Sequence, residues 1–189
     1  DPTGRGALRA MKAALDMGGL SPDDVDYVNG HGTGTPANDS TETRAVAQLR
    51  PADPPPLSST KSMIGHTLGA AGAVEAVTTV LALRDGVLPP TVVPPDAPDA
   101  PHGLDIVPSA ARRGTVAVAL SNSFAFGGNN ASLLLTGDDP TAGRGSLSPA
   151  GRAVVITGAA AIAADAKDSD DVRATLRAWT PAYGTRRVT

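Results

Sequence analysis

Two of the three histidines in this 189-residue chain lie in short polar segments made almost wholly of small residues. His31 sits in Val28-Asn29-Gly30-His31-Gly32-Thr33-Gly34-Thr35-Pro36, and His66 ends Ser59-Thr60-Lys61-Ser62-Met63-Ile64-Gly65-His66. A third such segment, Ser121-Asn122-Ser123-Phe124-Ala125-Phe126-Gly127-Gly128-Asn129-Asn130, holds both phenylalanines. Glycine lets a backbone turn tightly or approach a neighbour closely, but it loses more freedom on folding than any other residue. Each segment therefore needs regular elements on either side to hold it, and the sequence supplies them.

Leu8, Met11, Ala14 and Leu15 recur at helical spacing over residues 4–17, with Gly18-Gly19 as the stop. Ser21-Pro22-Asp23-Asp24 reads as a turn or short helix start, and residues 25–29 alternate like a strand that delivers His31 at its end. Asn38 or Asp39 is the expected cap of a helix over 40–49, with Glu42 near its N-terminus, and the prolines of 51–56 break it. Residues 56–60 read as a short strand. The Ala, Val and Leu run from His66 or Thr67 to Leu83, with Gly69 and Gly72, reads as a buried helix ended by Asp85 and Gly86. A proline-rich excursion over 89–108 follows, then strands over 115–121 and 131–135 flanking the phenylalanine segment. This mixture predicts an α/β layered domain. Residues 137–151 have the composition of a linker, followed by an apolar strand over 153–158 and an amphipathic helix from Ser169 to about Trp179. These last elements are too few to bury a core alone.

A net charge of −3 with no block of Lys or Arg argues against nucleic acid, and no apolar run reaches the roughly 18 residues of a membrane span. Residues 1–6 lack the basic start and apolar stretch of a secretory leader, so a cytoplasmic protein is the expectation. With no cysteine the chain has neither a disulfide framework nor a thiol nucleophile. His102 sits in the proline-rich excursion, and no set of His, Cys or carboxylates has ligand spacing, so no metal site is expected. Gly69-Ala70-Ala71-Gly72 lacks the Lys-Ser/Thr of a phosphate loop and suits close helix packing instead.

Three motifs in this order and spacing, His31-Gly32-Thr33-Gly34-Thr35, Lys61-Ser62-Met63-Ile64-Gly65-His66 with Gly69-Ala70-Ala71-Gly72-Ala73-Val74-Glu75, and Asn122-Ser123-Phe124-Ala125-Phe126-Gly127-Gly128, resemble the C-terminal half of elongating β-ketoacyl synthases. These are thiolase-fold condensing enzymes of fatty-acid and polyketide assembly. The resemblance runs over about residues 4–135. It implies half of a thiolase-like layered fold, a buried helix between mixed sheets, completed by segments not in this chain. It also implies decarboxylative Claisen condensation with an acyl carrier protein as partner. A malonyl unit on the carrier's phosphopantetheine arm loses carbon dioxide, and the enolate attacks an acyl thioester held on a cysteine of the N-terminal half. No other bound cofactor is implied. Residues 152–158 followed by 172–179 resemble the opening of a second domain of this kind. The resulting division is a ketosynthase C-terminal half over 1–136, a linker over 137–151, and over 152–189 the start of a ketosynthase-like domain or a docking tail. A homodimer, or a heterodimer with a ketosynthase-like partner, is the expected assembly.

In the resembling family, His31 and His66 would aim hydrogen-bond donors at the malonyl thioester oxygen, where charge develops. Lys61 would lie buried beside them and tune the local charge. Glu75, nine residues past His66 on an apolar helix, is costly to bury unless paired, and Lys61 is its expected partner. Thr33 and Thr35 would bond the amides of the pantetheine arm. Phe126 would gate the site and lend its backbone N–H to the oxyanion hole of the acyl thioester, while Phe124 would pack the loop. Ala125 stands where many relatives carry glycine, and Asp39 and Glu42 read as structural. The competing reading is a non-catalytic partner that shapes chain length; retention of His31, Lys61 and His66 argues against it for residues 1–135. An initiating enzyme with a Cys-His-Asn set is disfavoured by histidine at 66, and a biosynthetic thiolase by the missing second cysteine. The chain alone is expected to be inert.

Overall fold

The computed structural model describes residues 2–94 and 100–137. The predicted linker beyond Gly137 and the strand and helix predicted after it lie outside the described residues. α1 (Arg5–Gly18) buries Ala7, Met11 and Leu15 as one stripe. Gly19 ends it in the left-handed region at φ 68°, its N–H returning to the carbonyls of Asp16 and Leu15. A 3-10 turn over Pro22–Asp24 leads to β1 (Tyr27–Asn29).

Two helix starts differ from the sequence reading. α2 (Pro36–Leu49) begins before Asn38 and Asp39, because Thr35 is the N-cap and accepts the Asn38 N–H at 3.4 Å. Pro36 fills the first helical position, where its missing N–H is one the helix leaves unbonded anyway. After β2 (Leu57–Ser58) comes a short helix, α3 (Lys61–Ile64). The long apolar helix, α4 (Ala71–Asp85), starts five residues after His66. Gly65 at φ 79° and Leu68 at φ 52° interrupt the chain between them. Inside the proline-rich excursion β3 (Val87–Leu88) pairs antiparallel with β4 (Arg112–Arg113), strands the composition did not announce. β5 (Val118–Phe124) runs three residues further into the phenylalanine segment than expected, and β6 (Asn130–Thr136) returns beside it.

The main sheet has the order β2-β1-β5-β6, with β1 parallel to β2 and β5, and β6 antiparallel to β5. Side chains alternate across it. Val28 and Leu120 turn towards Met11, Leu15, Ala45 and Val46 of α1 and α2. Tyr27 and Ala119 turn the other way, towards Ala82 of α4, Leu88 and Val116. The result is helix on sheet on helix, with α4 burying Ala71, Glu75, Thr78, Thr79 and Ala82 and leaving Val74, Val77 and Val80 half-buried. Asp26, just before β1, fixes the central register: its Oδ2 accepts the N–H groups of Ala117 and Val118 at 2.8 and 3.0 Å. Because β1, β2 and β5 are parallel, the chain leaves all three at the same end of the sheet. That end receives the His31 loop, the Lys61–His66 segment and the phenylalanine loop together, as open α/β sheets gather their sites.

Candidate active site

The three glycine-rich segments, separate in sequence, meet there. The imidazole rings of His31 and His66 stand 5.7 Å apart at 86°, edge to face, and the Phe124 ring lies 6.1 Å from that of His31. Lys61, at the start of α3, is buried and bonds Glu75 Oε1 of α4 as an ion pair. Its Nζ is also 3.4 Å from His31 Nδ1. The charge thus has a partner on one side and the imidazole lone pair on the other.

The hydrogen bonds assign the ring protons. An ammonium only donates, so His31 Nδ1 accepts from Lys61. His66 Nδ1 accepts the Leu68 N–H at 3.1 Å. The left-handed turn at Leu68, rare for a branched side chain, belongs to this local geometry. With both Nδ1 atoms accepting, each neutral ring carries its proton on Nε2. Two such N–H groups on adjacent rings suit an oxygen that gains negative charge.

Burial, then the nearby charges of Lys61 and His66, pull the His31 pKa down from 6.5 to about 4. Between those values the unfolded chain binds a proton that the folded chain refuses, so this residue's contribution to stability falls as pH drops from 6.5 towards 4. His31 is expected to keep neutral-ring nitrogen shifts from pH 8 to 5 in the complete protein; a titration midpoint near 6.5 would contradict the geometry.

A buried carboxylate collars the His31 loop. Glu42 of α2 accepts the backbone N–H of His31 through Oε1 and that of Gly32 through Oε2, both at 2.8 Å. Asn122 of β5 donates to Oε1 at 3.3 Å and Asn38 to Oε2 at 3.4 Å. Burial pushes the Glu42 carboxyl up, and these four donors oppose that shift. Gly32, at φ 33°, lies so close to Ser59 that a Cβ would sit 2.4 Å from the serine Cβ, and Ser59 Oγ donates to its carbonyl at 2.8 Å. Only glycine fits this crossing of the two loops.

Among the expected site residues, His31, His66, Lys61 and Glu75 come together. The Thr33 and Thr35 hydroxyls lie 3.0 Å apart, and that of Thr35 is already engaged as the α2 cap. The Phe126 side chain is fully exposed beyond Ala125, and Phe124 is the ring that faces His31. Glu42 and Asn122 were not singled out by sequence as site residues. The signal available was a glutamate within a turn of two Thr-Ala-Val neighbours, on what proved to be the buried side of α2. Among the described residues no three His, Cys, Asp or Glu side chains gather to hold a metal ion, and no helix is long and apolar enough to cross a membrane.

Comparison with known proteins agrees with this architecture. Residues 1–93 match the family described as β-ketoacyl synthase, C-terminal domain. Over 134 residues, 70% of the chain, the sequence is 52% identical to 3-oxoacyl-(acyl-carrier-protein) synthase 2 of Synechocystis sp., covering 32% of that protein. The corresponding synthase of Rhizobium meliloti is also 52% identical, with 31% of it covered. The chain thus spans about a third of the length of the curated relatives it matches. Among solved structures, the ishigamide ketosynthase/chain length factor aligns with a TM-score of 0.67 and 40% identity over 71% of this chain and 33% of that one. A β-ketoacyl synthase from Burkholderia phymatum gives 0.66 and 38%, again with 71% and 33% covered. Residues 1–93 belong to the C-terminal domain family of the β-ketoacyl synthases, in a chain whose fold is the thiolase-like fold of the ketosynthases.

Proposed function

We propose that this segment supplies the enolate-stabilising side of a β-ketoacyl-(acyl carrier protein) synthase, the nucleophilic cysteine coming from an N-terminal half outside it. The observation that carries the reading is the pair of imidazoles 5.7 Å apart, each with Nδ1 engaged as an acceptor. In this reading the malonyl thioester loses carbon dioxide, and the electron pair of the broken C–C bond becomes an enolate. Nε2–H of His31 and of His66 stabilise its oxygen. The enolate carbon then attacks the acyl thioester carbonyl; a C–C bond forms, the C–S bond to the cysteine breaks, and the thiolate leaves. Lys61 holds His31 in the donor tautomer and, with Glu75, keeps a compensated charge beneath it. The Phe126 backbone N–H serves the acyl thioester oxygen, its ring gates the approach, and Thr33 and Thr35 contact the pantetheine arm. The substrate arrives on the phosphopantetheine of an acyl carrier protein in the cytoplasm, and a homodimer or ketosynthase-like heterodimer completes the assembly. A structure of a type II acyl-carrier protein with its ketosynthase, aligned here with 30% identity and a TM-score of 0.67, supports the carrier as partner.

Residues 152–189 are in this reading the opening of a second ketosynthase-like domain, joined by 137–151. A structure described as a keto synthase-chain length factor aligns over 82% of this chain, against 71% for the ishigamide structure, which favours a continuation past the first domain. The experiment combines purified residues 1–189 with the segment that carries the cysteine. Condensation is expected only from the combination; an extended acyl thioester formed by residues 1–189 alone would overturn the proposal.

A further inference from the structure

Helix α1 carries charge that its own stability does not call for. Arg5, Arg9 and Lys12 are exposed and fall on one side of the helix, turned away from the buried Ala7, Met11 and Leu15. Arg5 is the first helical residue, the N-cap is Gly4 without a side-chain cap, and the first turn holds no acidic residue. The positive end of the helix dipole therefore meets cations rather than the carboxylates it favours. Arg5 and Arg9, four apart, also repel each other. Together with the half-buried Leu8 and with Asp16 at the far end, these cations line an open depression of about 280 Å³.

The stripe begins beside the site. At Gly6 a Cβ would lie 2.6 Å from the side-chain nitrogen of Asn130, so the first turn of α1 rests directly on that residue. Asn130 is the register partner of Phe124, whose ring is 6.1 Å from His31. One strand pair thus separates the basic end of α1 from the imidazoles.

We propose that the Arg5–Arg9–Lys12 face of α1 is the docking surface for a carrier domain that presents an acidic helix and delivers its thioester to the His31–His66 pocket. This rests on the proposed function for the identity of the cargo, not for the charge pattern. Carboxylates one helical turn apart match cations at positions i, i+4 and i+7, and Leu8 offers an apolar contact between them. Such rim charges steer encounter and are screened by salt.

The test uses the complete synthase with Arg9→Glu and Lys12→Glu together, turning over malonyl-loaded acyl carrier protein or free malonyl-pantetheine. The KM for the carrier substrate is expected to rise tenfold or more, the difference from wild type shrinking at high salt, while kcat and KM for malonyl-pantetheine stay put. Arg9→Gln with Lys12→Gln is expected to give a smaller rise, and lysine in the carrier's acidic helix to rescue the Glu variant. An unchanged carrier KM in an active enzyme, or equal loss with both substrates, overturns the docking face. Wild-type enzyme that turns over neither substrate would instead refute the proposed function. Asp168, Asp170 and Asp171 form an acidic run in this same chain. Replacing them with Asn is expected to leave the carrier KM alone. A several-fold fall, seen only with the α1 cations intact, would make that run the occupant and overturn the carrier assignment.

Discussion

His66→Ala, made in the complete synthase, is expected to slow decarboxylation of a malonyl thioester by about 10²–10³-fold, the usual effect of deleting one preorganised oxyanion donor. The ring is anchored from behind by the Leu68 N–H on Nδ1, so its Nε2–H is fixed before substrate arrives and needs no reorganisation during reaction. His31→Ala is expected to be of the same order, because its Nδ1 is likewise engaged by Lys61. The double variant should lose far less than the product of the two single effects, since both rings serve one oxygen. Release of labelled carbon dioxide from malonyl-loaded carrier measures this step apart from condensation. Near-wild-type release from both single variants would remove the imidazole pair from the mechanism.

Lys61→Met is expected to destabilise the folded protein by about 3–5 kcal/mol, because it leaves the Glu75 carboxylate buried without its counter-ion. Burial already pushes the Glu75 carboxyl up, and Lys61 is what opposes it. Adding Glu75→Leu to Lys61→Met should recover most of the loss, as replacement of a whole buried pair by apolar groups often does. Urea unfolding of the complete protein with both single variants and the pair would decide it. A single variant within about 1 kcal/mol of wild type would mean that the pair contributes little. The stabilised double variant should nonetheless remain impaired in decarboxylation, because His31 Nδ1 has lost its donor and the ring its fixed tautomer. Stability and activity therefore separate at this position.

Much of this was legible in the sequence, for reasons that differ by residue. The stripe of Ala7, Met11 and Leu15 is strongly periodic, and α1 formed where periodicity placed it. The Lys61–Glu75 pair followed from the cost of a lone carboxylate on an apolar helix, an argument that needs no coordinates. The start of α2 was misplaced because Asn38 and Asp39 are good caps by type, whereas Thr35 with Pro36 behind it satisfies both the cap and the first helical position. The start of α4 was misplaced because composition is blind to a leucine in the left-handed region. Glu42 escaped notice as part of the site because its partners are backbone amides of a loop eleven residues away, brought to it only by the crossing from β1 to α2. Phe124 and Phe126 exchanged their expected prominence when β5 proved longer, since the strand carries Phe124 in to His31 and releases Phe126 to the surface.

The clamp of Asp26 on Ala117 and Val118 has a kinetic corollary. It ties together points 91 residues apart, and the neighbouring β1–β5 ladder is equally non-local. Long-range closures of this kind come late and slowly in folding. During synthesis the imidazole of His31 can find Lys61 and Glu75 within the first half of the chain, yet its aromatic wall at Phe124 waits for the strand that Asp26 receives. The pocket matures in two stages, and the amide pair that accepts one aspartate decides when the second is finished.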